Sequence, residues 1–190
     1  NAAVREAMQY LGIEYQVKNL PVLDPAFIPF GVWASAYEAG AERPFKIAVE
    51  RENKLVTVRE MKLRGPEFAE ANVRFVERLV KMLLWSVGDW RMYPCGDDAI
   101  AKRMQEEYRA GGEREFDVGF MQDVYERPFE IVITDEGTFP QAREQTRKAG
   151  GHTDGCRIGF DAGGSDRKVS AVIDGQTVYS EEVVWHPKTS

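Results

Sequence analysis

Apolar and polar residues alternate with a period of two in several stretches of the chain and with a helical period in others, and the switches between them set the predicted architecture. Phe45, Ile47 and Val49 alternate with Lys46, Ala48 and Glu50. Glu52-Asn53 makes a turn, and Leu55, Val56 and Val58 return, which reads as a β-hairpin. Gly65-Pro66 then opens a helix with Phe68, Val73, Val76, Leu79, Val80, Leu83 and Leu84 on one stripe and charged residues opposite. Gly88 ends it. Asp89–Tyr93 predicts a short strand, Gly96-Asp97-Asp98 a helix cap before Ala99–Tyr108, Phe116–Tyr125 a further helix, and Phe129–Thr134 a strand.

Before residue 44 the pattern is irregular. Val4–Leu11 fits one or two helical turns, and Pro21, Pro25 and Pro29 exclude a regular helix across their stretch. The aromatics Phe27, Phe30, Trp33 and Tyr37 then need a surface to cover. Residues 135–154 are polar and hold Gly137, Pro140, Gly150 and Gly151, the composition of a linker. Beyond it three strands follow quickly, Arg157–Asp161, Lys168–Ile173 and Thr177–Trp185. Asp174-Gly175 marks a two-residue hairpin turn, and with no helix between them the strands are antiparallel neighbours. The expected class is α/β, more strictly α+β with a mixed sheet. It divides into an irregular segment 1–43, an α/β domain 44–136, a linker 137–154 and a strand-rich portion 155–190. The meander should pack on, or pair with, the elements of 45–134, burying Phe160, Val172 and Val184.

Composition narrows this picture. With 190 residues and 43% apolar content the chain can build a full core, which excludes collagen-like and disordered classes. A net charge of −6 without a basic stripe argues against nucleic acid. No apolar run approaches the ~20 residues of a membrane span. Cys95 and Cys156, both in strand-like contexts, read as buried reduced thiols, and a cytoplasmic location fits. A start of Asn1-Ala2-Ala3 without Met suggests a tag remnant on a piece of a longer protein.

The candidate chemistry lies between the first two late strands, in Ile158-Gly159-Phe160-Asp161-Ala162-Gly163-Gly164-Ser165-Asp166-Arg167-Lys168. A strand ending in Asp, then two glycines and a hydroxyl, can bind phosphate: backbone N–H groups turn toward the anion, the hydroxyl adds a donor, and Asp161 can hold hydrated Mg²⁺. A Walker A loop is excluded, since Gly-x-x-x-x-Gly-Lys-Ser/Thr is absent and a strand follows. The bland alternative is an ordinary hairpin whose loop only reverses the chain. Other sites have structural readings. Asp97-Asp98 fits helix capping, Met82, Met92, Met104 and Met121 fit core filling, His152 fits a solvated linker, and Gln141–Lys148 fits a solvated run.

The run Gly155–Lys168, continued by Ser180-Glu181-Glu182-Val183-Val184-Trp185, resembles the first phosphate motif of the actin-like (ribonuclease H-like) ATPase superfamily. More narrowly it is similar to bacterial ROK-family proteins with a long N-terminal extension. The resemblance covers about residues 151–188 and is only general over 1–150. It implies that 155–190 begins an ATPase lobe. Asp161 would orient Mg²⁺ through water, Gly163, Gly164 and Ser165 would contact the β- and γ-phosphates of ATP, and Arg167 and Lys168 would add positive charge. It also implies ATP-dependent sugar phosphorylation by a longer protein. There the general base, the second phosphate turn and the zinc motif would come later, so this piece alone would be inactive and hold no zinc. The expected partners are the remainder of the same kinase domain, a sugar and further copies of the chain, without nucleic acid or membrane. The competing expectation is a non-catalytic interaction or regulatory domain in which the turn is kept as structure.

Overall fold

Leu11 and Gly12 both take positive φ, 51° and 77°, and this tight turn pairs β1 (Glu6–Tyr10) with β2 (Ile13–Val17). The helical turns expected over Val4–Leu11 are therefore absent from the described part of that stretch. The alternation of Ile13, Tyr15 and Val17 into the interior selects a strand pair instead. The coordinates are a computed structural model that describes residues 6–145 and 150–187. The Asn1-Ala2-Ala3 start, Val4, and Thr146–Lys148 of the polar run lie outside the described residues. The chain forms two compact units, Asn1–Gln145 and Thr146–Ser190, and the architecture is mixed α+β.

In the first unit, α1 (Phe30–Glu38) begins directly after the proline-punctuated stretch. It is followed by β3 (Arg43–Arg51), β4 (Leu55–Leu63), α2 (Ala69–Ser86), β5 (Arg91–Cys95), α3 (Asp98–Glu107), α4 (Glu115–Tyr125) and the two-residue β6 (Glu130–Ile131). The sheet order is β4-β3-β5-β6, antiparallel except for the β5–β6 pair. Phe45, Ile47 and Val49 on β3 turn one sheet face onto Val76, Val80, Leu83 and Leu84 of α2, and Met92, Ile100, Met104, Val118 and Met121 complete that core. Met82, expected inside with the other methionines, is 49% exposed because it stands on the outer stripe of α2. Asp97 caps α3 by accepting from Ala99 N and Ile100 N at 3.1 and 3.2 Å.

A second cluster gathers Ile13, Tyr15, Val17, Trp33, Tyr37 and Phe75, with the Tyr37 and Phe75 rings stacked at 4.3 Å. The aromatics of the irregular N-terminal stretch thus find their surface on β2 and α2, except Phe27, which is exposed. Under this stack lies the buried Asn72 amide. Its oxygen accepts from the Tyr37 hydroxyl at 2.5 Å and from Arg64 N at 3.0 Å, and its NH₂ donates to the Arg64 and Gly65 carbonyls at 3.2 Å. The Arg64 side chain returns to α1, donating to the Tyr37 and Ala36 carbonyls at 2.8 Å.

The expected linker is partly folded. The Asp135 carboxylate accepts from Gly137 N and Thr138 N at 2.9 Å, and Val56 and Arg143 exchange two backbone hydrogen bonds of 2.9 Å. Glu136 pairs with Lys46 at 2.6 Å, and the same ammonium sits 4.4 Å from the centre of the Phe139 ring. Residues 135–143 therefore belong to the first unit, whose boundary falls after Gln145.

The second unit holds β7 (Cys156–Ala162), β8 (Asp166–Ile173) and β9 (Gln176–Val184) in that spatial order, all antiparallel. Asp174 and Gly175 take positive φ, 47° and 80°, as the Asp-Gly signal predicts. Val178 is an extra residue in β9, since Val172 faces Thr177 while Ala171 faces Tyr179. The expectation that Phe160 and Val184 are buried fails. They are 63% and 70% exposed, and Val172 is half-buried. Among the described residues this unit has only three strands, too few to cover either face of its own sheet. Cys156, expected to be buried, is exposed on the edge strand β7 for the same reason, while Cys95 is buried, and both thiols are free.

Two predictions follow from the buried polar groups. Asn72→Ala takes the acceptor from the Tyr37 hydroxyl and one of two partners from the Arg64 N–H and the Arg64 and Gly65 carbonyls, which keep the Tyr37 hydroxyl, Arg43 Nε and Phe68 N, and should cost about 1–3 kcal/mol in denaturant unfolding, against about 1 kcal/mol for Tyr37→Phe. Asp89 is fully buried, neither carboxylate oxygen has a hydrogen-bond partner among the described residues, and burial raises its pKa well above 3.8. A carboxyl that holds its proton more tightly when folded contributes stability that is complete below the unfolded value and lost as pH rises through the folded one. Asp89→Asn should flatten the fall in melting temperature between pH 5 and 8 and raise stability at pH 8 by about 1 kcal/mol.

Candidate phosphate-binding turn

Register decides which of the predicted residues meet. Asp161 lies directly across from Lys168, which lies across from Glu182, so these three share one face of the second-unit sheet. Asp166 shares that face by alternation, and the Lys168 ammonium stands 3.7 Å from both the Asp166 and Glu182 carboxylates. Arg167 pairs instead with Ala162 and Val183 on the opposite face. Adjacent strand residues point to opposite sides, so Arg167 and Lys168 do not converge on one anion. Arg167 belongs with Ile158, Phe160, Val169 and Ala171, the apolar side of the sheet.

The turn Gly163–Ser165 is held from β9. The Trp185 indole N–H donates to the Gly163 carbonyl at 2.7 Å, and the Trp185 backbone N–H donates to the Ser165 carbonyl at 3.1 Å. Neither Gly163 nor Gly164 has positive φ, so the alternation of right- and left-handed residues that builds a backbone nest is absent. The glycines have other duties. A Cβ on Gly163 would lie 2.8 Å from the Asp166 carbonyl oxygen, so any side chain there would force the turn backbone to shift. A Cβ on Gly164 would meet no atom within 4 Å, so Gly164 faces open space.

Among the described residues no group of three His, Cys, Asp or Glu side chains is placed to hold a metal ion. Asp161 still fits the smaller demand of hydrated Mg²⁺, which takes one or two carboxylates from the protein and its remaining contacts from phosphate and water. His152 accepts at its backbone carbonyl from Arg157 Nε at 3.1 Å.

The first unit holds a groove of about 370 Å³ lined by Lys46, Glu60, Lys62, Cys95 and Glu136. None of the predicted site residues lines it. Burial first, and then the Glu136 charge, raise the pKa of the Cys95 thiol, which makes it a poor nucleophile. The Lys46 pKa is raised mainly by its hydrogen bond to Glu136, which keeps the ammonium charged.

No protein-family model, curated protein or solved structure matches the chain. No helix among the described residues is long and apolar enough to cross a membrane. Trp185 is the site residue that sequence reasoning missed. Its signal was available: a tryptophan at a strand end carries an N–H that needs an acceptor, and the nearest turn offers carbonyls.

The two glycines should separate cleanly. Gly163→Ala, forced against the Asp166 carbonyl, should destabilise the β7–β8 hairpin by about 1–3 kcal/mol, whereas Gly164→Ala should leave it within about 0.5 kcal/mol of the parent. Cross-strand Asp161–Lys168 contacts in NMR spectra check both.

Proposed function

We propose that Cys156–Val184 is the first phosphate-binding turn of an ATP-dependent sugar kinase of the ROK type. The observation that carries this reading is the joining of Asp161, on the polar sheet face, to a turn whose Gly164 is open to a ligand. Asp161 would hold Mg²⁺ through water, and Gly164 and Ser165 would lie against the β- and γ-phosphates. Mg²⁺ would supply charge neutralisation between those phosphates. Lys168, exposed on the same face and shared between two carboxylates, would add positive charge once phosphate competes for it.

In such a reaction a sugar hydroxyl oxygen forms the new bond to the γ-phosphorus. The bond to the β,γ-bridging oxygen breaks with its electron pair leaving on ADP, and the hydroxyl proton passes to a base that the family carries later in its chain. Positioning of donor, metal and acceptor supplies most of the rate, so the turn alone would not turn over. Ile158, Phe160 and Tyr179 leave an apolar sheet face exposed, which supports the remainder of a kinase lobe as the partner. Two free thiols and the use of ATP fit the cytoplasm.

The test uses the full gene product that contains this chain, with Mg-ATP and a panel of sugars. Wild type should release ADP with at least one sugar, and Asp161→Asn should lower that rate about 100-fold or more. If wild type and Asp161→Asn are equally inert across the panel, the turn is structure and the alternative, a non-catalytic module, stands.

A further inference from the structure

The hydrogen bonds made by Trp185 also determine where the turn points its donors. In a trans peptide the carbonyl of one residue and the N–H of the next face opposite ways, and no peptide bond among the described residues is cis. Val183 faces Arg167 on the apolar side of the sheet, so Trp185, two residues on, stands on that side too. Its indole draws the Gly163 carbonyl toward the apolar side. The Gly164 N–H, in the same peptide plane, is thereby turned to the other side, where Asp161, Asp166 and Lys168 stand. Among the described residues Gly164 N–H has no acceptor, and a Cβ at that position would meet no atom within 4 Å. The second bond, from Trp185 N to the Ser165 carbonyl, fixes the far end of the turn against β9.

We propose that Trp185 is a positioning residue: its indole N–H holds the Gly163–Gly164 peptide in the one orientation that presents the Gly164 amide to a phosphate oxygen on the Asp161 face. This rests on the reading of the turn as a phosphate site and deepens it. It replaces the nest, which the φ values exclude, by a different device: a carbonyl anchored on one face of a sheet aims the adjoining amide at the other. The ligand class is a phosphoanhydride or phosphate monoester, reached on the Asp161 face by one aimed amide and the Lys168 ammonium. The substituent on the phosphate is left to contacts outside this turn. The bond is to a neutral carbonyl, and among the described residues the indole N–H has no other acceptor, so removing the N–H frees the peptide to rotate while an aromatic ring stays in place.

The experiment follows the Gly164 amide in ¹⁵N-labelled protein during titration with inorganic pyrophosphate plus Mg²⁺ and, separately, with Mg-ATP. In wild type the Gly164 and Ser165 amides should move with both anions. In Trp185→Phe, which keeps an aromatic ring and lacks the donor, binding should weaken about five- to tenfold and the Gly164 shift should shrink more than the Ser165 shift. Cross-strand Asp161–Lys168 contacts serve as the control for an intact sheet. Trp185→His, which retains a ring N–H, should recover part of the affinity. If the sheet is lost in Trp185→Phe, the histidine variant decides: affinity nearer wild type supports the positioning role, and an intact sheet with no recovery overturns it. Equal affinity and equal Gly164 shifts in wild type and Trp185→Phe also overturn that role while leaving the phosphate site standing. No movement of either amide in wild type with either anion overturns the phosphate reading itself.

Discussion

A single buried amide ties α1, the end of β4 and the start of α2 to one another. Asn72 uses both lone pairs of its oxygen and both hydrogens of its nitrogen, and from α2 it reaches two other places: the Tyr37 hydroxyl on α1, and the backbone at Arg64 and Gly65 where β4 turns toward α2. That corner cannot make ladder hydrogen bonds because the strand has ended, and it cannot make helix bonds because the helix has not begun. The amide adds a second partner to each of the corner's N–H and carbonyl groups, which otherwise keep the Tyr37 hydroxyl, Arg43 Nε and Phe68 N. The aromatic stack of Trp33, Tyr37 and Phe75 then closes over a satisfied polar centre. Arg64 returns to the end of α1, so one short segment fixes a helix, a strand end and a helix start.

Much of this was legible in the sequence where the period was clean. The β3–β4 hairpin, the α2 stripe, the Asp97 cap and the Asp174-Gly175 turn each came from local chemistry that the tertiary structure does not oppose. Long-range polar satisfaction was not legible. Nothing in the spacing of Tyr37, Arg64 and Asn72 shows that they meet, since each polar side chain alone reads as surface. The Val4–Leu11 stretch misled because its apolar spacing over a few residues fits either period, and the decision came from Leu11-Gly12, whose positive φ values only the paired strand explains. Phe160 and Val184 read as interior because an alternating strand implies a covered face. The strand implies the face but not the cover, and the unit's described elements do not supply one.

At the candidate site the same division holds. Asp161 at a strand end and the two glycines were visible as residue types, and their separate duties were not: Gly163 is small because Asp166 presses on it, and Gly164 is small with nothing beside it. Register separated Arg167 from Lys168, which adjacency in sequence had joined. Trp185 completes the turn from some twenty residues away through an ordinary hydrogen bond of 2.7 Å.

The three-strand meander also bears on the order in which the chain acquires structure. Its pairings close through a short Gly-Gly-Ser turn and a two-residue Asp-Gly turn, so every ladder joins neighbours in sequence. Such low contact order favours hairpin formation on the scale of about 1–10 μs. The sheet of the first unit must wait for more distant encounters, since β5 reaches β3 only after α2 has been spanned, and β6 reaches β5 only after α3 and α4. The Gly163–Ser165 turn, held by Trp185 just beyond β9, therefore closes through contacts that need no help from distant parts of the chain.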